Sequence, residues 1–298
     1  MGTSLVLPGH NESVSFGNVI RPFRWDITRR SQLGSLVEIE PPEAYAQFED
    51  DLLTSSARVV AFAGDSDLVF VGRSPQPLFD LLSGLLIDTS WRDRLRLFNV
   101  SLRYPDHALD RQELQEIYPY LAEVGLEPHA LVRAKRAVAF VDIVDTGETF
   151  GTLLGVLRDW SDSRSAEWTA VARKIRIVGL VWRTKTSPNT WRWQQHAKWV
   201  ERLRPNEIKN VSLPPRLATY LAEDAPKTSD SYERWWWGQD WWAEAPTDDE
   251  ARKALALAVR LFDLGRTTET RRRFARALAT EPAMTESWFR SLILELKR

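Results

Sequence analysis

The sequence predicts an α/β protein with a mostly parallel, twisted sheet flanked by helices, followed by a Trp-rich and mainly helical C-terminal region. Between residues 41 and 185, short apolar runs alternate with segments of helical periodicity, a pattern typical of parallel sheets covered on both faces. The run 137–141 is continuously apolar, as expected of a strand buried on both sides. Beyond Thr184 the composition shifts to Trp, Pro and polar residues, which indicates a different kind of region.

The first elements follow an N-terminal arm, residues 1–40, that carries few periodic signals. The spacing of Tyr45, Phe48 and Leu52 predicts a short amphipathic helix that starts near residue 41. Apolar runs at 59–63 and 68–71 surround a Gly/Asp turn. They are interpreted as two consecutive strands, with a hairpin as one option. Pro75 suits the first turn of the helix that follows.

The rest of the predicted core alternates in the same way. A strand is expected at 95–100, a helix around Ile117 that Pro119 should kink or shorten, and strands at 137–141 and 175–182. Residues 41–185 then form the predicted core domain, and 186–298 a hood and helical appendage. Helices are expected at 247–264 and 267–296, with a cap signal at 247–250.

Composition limits the function classes. The 298-residue chain has a net charge of −1 and no cysteine. The charge provides no overall attraction to nucleic acid or a membrane, and the missing cysteines exclude disulfides and thiolate chemistry. The four histidines lack ligand spacing, which argues against zinc. No signal peptide or run of about 18 apolar residues is present, so we expect a cytoplasmic protein.

The most informative segment is the turn at residues 142–149, after the apolar strand. A turn of small residues that opens a helix presents backbone N–H groups and the positive end of the helix dipole. Thr146 and Thr149 add hydroxyl donors, and Gly147 permits backbone conformations closed to other residues. Asp142 and Asp145 stand at the rim, where they suit ribose hydroxyls, Mg²⁺ or a substrate proton. The alternative is a plain strand–turn–helix with acidic residues favoured by the dipole.

This segment resembles the phosphoribosyl-pyrophosphate (PRPP) motif of type I phosphoribosyltransferases, and most closely that of the purine-salvage branch. The resemblance implies that Thr146, Gly147, Glu148 and Thr149 hold a 5′-phosphate. It also implies that Asp142 lies at the ribose hydroxyls and that Asp145 is the catalytic general base. The first acidic position of the motif is Val141 here, which weakens the expected grip on ribose and metal.

A second turn, Gly72-Arg73-Ser74, lies upstream, as the pyrophosphate loop of that family does. Gly72 allows a tight turn, Arg73 suits a diphosphate, and Ser74 suits either a helix cap or an anion. Taken alone, these residues favour a capped helix start. Arg183 and Lys185 follow the strand at 175–182 and are candidates for contact with base or phosphate, with a solvated strand end as the alternative.

Two further features have structural and functional interpretations. The Trp run at 235–242 suits a base-stacking or sugar-binding platform, but packing of the C-terminal helices onto the core is favoured. The arginines of 266–276 form a basic face, which neighbouring Glu269 and Glu281 dilute. A solvated face is therefore favoured over a nucleic-acid surface.

The resemblance implies an enzyme of nucleotide metabolism. It would bind PRPP with Mg²⁺, or a related ribose-5-phosphate compound, and act at the anomeric carbon as a glycosyltransferase. The expected partner is a small phosphorylated sugar or nucleotide, not a membrane or nucleic acid, and a homo-oligomer stays open. The alternative is a non-catalytic ligand sensor of the same fold that acts through its Trp-rich C-terminal region. A third and weaker alternative is an RNA-interacting protein.

Overall fold

The computed structural model of the chain describes residues 22–103, 109–182, 193–238 and 245–298. Within these ranges the chain forms five strands that make one all-parallel sheet in the order β2-β1-β3-β4-β5. The strands are β1 (Ser66–Val71), β2 (Leu95–Phe98), β3 (Ala137–Ile143), β4 (Ile175–Trp182) and β5 (Ile208–Leu213). The predicted α/β class with a parallel sheet is confirmed.

Helices cover both faces of the sheet. In the described ranges they are α1 (Arg30–Leu33), α2 (Phe48–Ala63), α3 (Gln76–Leu86), α4 (Arg111–Glu123), α5 (Pro128–Arg133), α6 (Glu148–Ser163), α7 (Trp168–Ala172), α8 (Trp193–His196), α9 (Pro215–Thr219), α10 (Asp249–Arg266), α11 (Thr268–Ala279) and α12 (Ser287–Leu296). No helix among the described residues is both long enough and apolar enough to cross a bilayer.

The sheet is buried on both sides because its alternating side chains enter two separate cores. Phe70 and Val141 face a core that includes α2, α3 and α9–α12. Val71 and Phe140 face the opposite core, which includes α4, α6, Trp193 and Trp199. This alternation is the period-two geometry of a strand, and it explains why the strand runs are apolar without interruption.

The strand order creates a topological switch point between β1 and β3. The chain leaves β1 through α3 to reach β2 on one side, then crosses back past β1 to β3 on the other. Ligands of open parallel sheets bind beyond the carboxyl ends of the strands at such a point. The turn after β1 and the turn after β3 are therefore neighbours at one edge of the sheet.

The predicted strand at 59–63 is wrong, and so is the hairpin. These residues form the last turns of α2, where Val59, Val60 and Ala63 are buried. A buried helix can be apolar on most of its surface, so a short apolar run does not distinguish it from a strand. Gly64, at φ 66°, ends the helix before β1 begins. Pro119 lies inside α4 without ending it.

The fifth strand comes from beyond residue 185, in the region expected to be mainly helical. β5 pairs in parallel with β4, from Ile177 opposite Ile208 to Trp182 opposite Leu213. In β5, exposed and buried residues alternate only in part. The exposed residues are Lys209 and Ser212, and the buried ones are Ile208, Val211 and Leu213. This is the pattern of an edge strand with one covered side, and it is too short and irregular to be recognised by period alone.

The C-terminal helices pack on the helices that cover one face of the sheet. At the crossing of α10 and α3, a Cβ on Gly84 would overlap the carbonyl of Phe262, and a Cβ on Gly265 would lie 2.5 Å from the carbonyl oxygen of Leu81. The two backbones are therefore in contact. Asp248 caps α10 by accepting a hydrogen bond from the N–H of Ala251, as the predicted cap signal indicates.

Candidate functional site

The candidate site lies at the carboxyl end of β3. A cavity of about 150 Å³ is lined by Arg103 and by residues 142–150. The structure thus brings together all six residues predicted on this loop: Asp142, Asp145, Thr146, Gly147, Glu148 and Thr149. β3 extends to Ile143, so Asp142 belongs to the strand and the turn itself is shorter than the predicted one.

The turn opens a long helix with a free N-terminus. Gly147 is the N-cap of the 16-residue helix α6, at φ 84°, and no side chain caps the helix. Its first-turn N–H groups and the positive dipole end therefore face the cavity without a capping oxygen. The hydroxyls of Thr146 and Thr149, which also line the cavity, have no partner in the described ranges. The local arrangement is that of an anion cradle.

Two tryptophans hold this turn from the protein side. The indole N–H of Trp199 donates to the Gly147 carbonyl oxygen at 2.9 Å. The Trp193 ring fills the space beside the Gly147 Cα, because a Cβ built there would lie 2.7 Å from Cε3. Trp193 in turn donates its indole N–H to Asn210 of β5 at 3.0 Å. Glycine at 147 is thus required both by backbone conformation and by space.

Asp142 is the buried carboxylate of the site, with 6% of its surface exposed. One oxygen, Oδ1, accepts the N–H of Ile143 at 2.7 Å. Burial raises the pKa of Asp142 to about 7, while that hydrogen bond and the positive charge of Arg103 act in the opposite direction. Near neutral pH this carboxyl exists in both protonation states, so it can donate or accept a hydrogen bond.

Two further positions of the motif differ in exposure. Asp145 is exposed at the rim of the cavity, and its carboxylate is open to a ligand. Val141, which stands where the resembling motif has an acidic residue, is fully buried in the core on the opposite face of the sheet. A carboxylate at 141 would therefore be placed among apolar side chains rather than in the cavity.

The turn after β1 has the predicted tight geometry, but Gly72 and Arg73 already have protein partners. Gly72 adopts φ 71° and donates its N–H to the carbonyl of Phe98 at 2.8 Å. Arg73 donates from Nη1 to the carbonyl oxygen of Ser229 at 3.1 Å, and burial lowers its pKa. The N-cap of α3 is Pro75, so the capping role considered for Ser74 is wrong.

Two groups of residues were not found by sequence reasoning. Arg103 lies five positions after the end of β2, at the same end of the sheet as the candidate site. Inspecting the residues that follow the carboxyl end of every strand would have identified it. The contacts of Ser229 with Arg73 and of Trp199 with Gly147 join residues 156 and 52 positions apart, and no local pattern indicates them. Arg183 and Lys185 lie outside the described residues.

The residues present fit Mg²⁺ only together with a ligand. Mg²⁺ is usually held through one or two carboxylates, with water and substrate phosphates completing its shell. Asp142 and Asp145 supply that number. The described part of the chain contains no cluster of three or more His, Cys, Asp or Glu side chains able to hold a metal by themselves.

Comparisons with protein-family models, with curated proteins and with solved structures found no match to this chain. The geometry and chemistry of the site itself are therefore the basis for its proposed function.

The tryptophans of the Trp-rich run differ in how far they are exposed. Trp237 is 2% exposed and packs in the core beside α4, whereas Trp235 is 59% exposed. Trp237 is buried, but among the described residues its core contains no buried residue of α10–α12, so packing of the C-terminal helices onto the core is not confirmed for Trp237. The packing interpretation is wrong for exposed Trp235. Trp241 and Trp242 lie outside the described residues.

The basic face is largely neutralised by acidic neighbours. Arg271 pairs with Asp88 at 3.1 Å, and Arg273 pairs with Asp50. Arginines that are paired with carboxylates offer little attraction to phosphate backbones, so the solvated-face interpretation is favoured.

Proposed function

We propose that this chain binds a phosphoribosyl compound at the switch point between β1 and β3, with the 5′-phosphate in the cradle formed by residues 146–149. The observation that supports this most strongly is the open N-terminus of α6, flanked by two threonine hydroxyls and lined by Arg103. Backbone N–H groups, hydroxyls and a guanidinium are the donors that a phosphate prefers.

The chemistry that fits this site is transfer at the anomeric carbon. The bond from the anomeric carbon to pyrophosphate breaks while a bond to the acceptor forms, and the acceptor's proton passes to Asp145. Asp142 holds the ribose hydroxyls, and Arg73 stabilises the negative charge of the departing group. Mg²⁺, when bound with the ligand, supplies further neutralisation of that charge. The rest of the work is positioning of the reactants.

A second candidate function is ligand sensing without chemistry. It is favoured by Val141, which leaves the site with one fewer carboxylate, and by the hydrogen bond that already engages Arg73. Both candidates use the same phosphate cradle. They differ in whether bound PRPP is consumed.

Isothermal titration tests the shared step. PRPP with Mg²⁺, and ribose 5-phosphate alone, are titrated into the wild type and into the Thr146→Ala/Thr149→Ala variant. Thr152→Ala is the matched control, since Thr152 lies in α6 but does not line the cavity. We expect binding by the wild type and the control, and its loss in the double variant. Absence of binding of both ligands to the wild type would contradict the proposal. Pyrophosphate release in the presence of acceptor bases separates the transferase from the sensor.

A further inference from the structure

Residues 227–233, here called the strap, run across the turn that follows β1. Ser229 accepts the hydrogen bond from Arg73 at 3.1 Å, and the Thr228 hydroxyl donates to Oε1 of Gln76 at 3.1 Å. Tyr232 accepts the backbone N–H of Ser101 at 3.1 Å. The strap thus joins the ends of β1 and β2 on the side where the candidate site opens.

The strap also brings negative charge to Arg73. Asp230 and Glu233 lie near enough to the guanidinium to favour its charged form, against the effect of burial, which lowers the pKa of Arg73. The cation that the proposed function assigns to a departing diphosphate is therefore hydrogen-bonded to one carbonyl and lies in the field of two negative charges. Carbonyl and carboxylate oxygens are the groups that a phosphate would replace.

The closed strap leaves polar atoms uncompensated. Nε2 of Gln76 and Oδ1 of Asn99 are buried and have no hydrogen-bond partner in the described ranges, although both residues are only 3% exposed. Lys227, at the start of the strap, has a pKa lowered to about 8 by burial and by the nearby charge of Arg73, with Glu250 acting in the opposite direction. Buried polar atoms without partners cost free energy, and so do neighbouring buried cations. Displacement of the strap would separate Lys227 from Arg73 and open the site to water, at the cost of the hydrogen bond between Thr228 and Gln76.

We infer that the strap is an autoinhibitory contact, in which the Ser229 carbonyl occupies Arg73 and the charges of Asp230 and Glu233 partly neutralise it, so that the strap must withdraw before a diphosphate group binds there. The inference rests on the proposed function for the identity of the ligand, but the strap and Arg73 can be tested without ribose. A monophosphate ligand, which needs only the cradle at residues 146–149, binds with the strap closed.

The strap is in contact with the Trp-rich segment, so its withdrawal would affect that segment. Tyr232 packs edge-on against Tyr120 of α4, with ring centroids 5.5 Å apart. The Trp237 indole N–H donates to the Tyr232 carbonyl oxygen at 3.2 Å. Movement of the strap therefore changes the surroundings of a buried indole, which gives the state of the strap a fluorescence signal.

The test compares inorganic pyrophosphate binding in Asp230→Asn and Asp224→Asn, using the full chain and isothermal titration at low salt. Both residues are exposed, and both variants remove one negative charge, but only Asp230 acts on Arg73. We expect Asp230→Asn to bind pyrophosphate about fivefold more tightly than the wild type, the size of effect that one partly exposed charge produces. Asp224→Asn should match the wild type. Adding Arg73→Gln to Asp230→Asn should remove the gain, with thermal melting used to verify that each variant is folded.

Equal affinities in the two aspartate variants, or no pyrophosphate binding in either, would overturn the inference. Hydrogen exchange provides the second measurement. The amides of residues 227–233 should exchange faster when pyrophosphate is bound, and their exchange rates should not change with ribose 5-phosphate. Slower exchange with pyrophosphate would also overturn the inference. If neither PRPP nor ribose 5-phosphate binds while Asp230→Asn gains affinity for pyrophosphate, the autoinhibitory contact stands and the proposed function falls.

Discussion

The indole N–H of Trp199 donates to the carbonyl oxygen of Gly147 at 2.9 Å, and the Trp193 ring packs against the same glycine. Trp199 follows β4 in the chain and Gly147 follows β3, so the turn that opens α6 is held by a segment outside its own strand–turn–helix unit. The geometry of the proposed phosphate cradle therefore depends on tertiary packing as much as on the local sequence.

Replacing Gly147 with alanine should destabilise the protein by about 2 kcal/mol or more, since the strain of a positive φ adds to overpacking against the ring. The φ is 84°, and the new Cβ would lie 2.7 Å from Cε3 of Trp193. Urea unfolding measures the change. Gly155→Ala in the same helix is the control, because a Cβ there meets only the end of Arg202 at 3.9 Å. That control should gain up to about 1 kcal/mol from helix propensity. A loss in Gly155→Ala as large as that in Gly147→Ala would show that the effect does not come from the indole contact.

The parts of this structure that sequence reasoning predicts are those encoded locally. The segment 137–149 combines an apolar strand, a glycine turn and an amphipathic helix in one continuous stretch, so each element supports the next. The strand at 175–182 has the bounds that its apolar run indicates. The adjacency of the two turns follows once the strands are parallel and in this order.

The parts that sequence reasoning misses are those decided by distant partners. Residues 59–63 are apolar because α2 is buried along most of its length, and this is the case in which a helix and a strand look alike. β5 is recognised only through its pairing with β4. Similarly, the role of Arg73 changes when Ser229 is known to lie beside it. In each case a contact far away in the sequence determines the outcome.

Gly84→Ala should destabilise the protein by several kcal/mol. In an isolated helix the substitution would gain about 1 kcal/mol, but here a Cβ would overlap the carbonyl of Phe262 in α10. Overpacking against a backbone costs more free energy than the higher helix propensity of alanine provides, because the two helices must move apart. Thermal or urea unfolding measures the change. An unchanged or raised midpoint would mean that α10 does not pack tightly on α3.

Asp145→Asn should reduce turnover by about 100- to 10,000-fold if Asp145 is the general base, the usual contribution of a positioned proton acceptor. PRPP affinity should change little, because the phosphate donors come from residues 146–149. Asp145 is exposed, so the fold should be intact by circular dichroism. Full activity of this variant would remove Asp145 from the catalytic role. Unaltered stability together with lost binding would instead indicate a ligand contact.

The pH dependence of stability should report on Asp142. Its folded pKa of about 7 lies above the unfolded value of about 3.9, so the folded state binds the proton more tightly. The stability that Asp142 contributes is then fully present below pH 4 and is lost as the pH rises through 7. Asp142→Asn keeps the shape and hydrogen-bond capacity of the protonated form and does not titrate. We therefore expect the variant to become more stable relative to the wild type as the pH rises.

The gap in unfolding free energy between Asp142→Asn and the wild type should grow by roughly 2.5 kcal/mol from pH 5 to pH 8, since nearly two pH units of differential titration are each worth about 1.4 kcal/mol. Asp80, whose pKa burial raises to about 6, titrates in the same range. Its contribution is common to both proteins and cancels in the difference, so urea titrations of the pair at each pH isolate Asp142. A gap that stays constant from pH 5 to pH 8 would mean that Asp142 is ionised throughout. Arg103, which lines the same cavity, would then be the stronger influence, and the proposed site would hold a permanently ionised carboxylate.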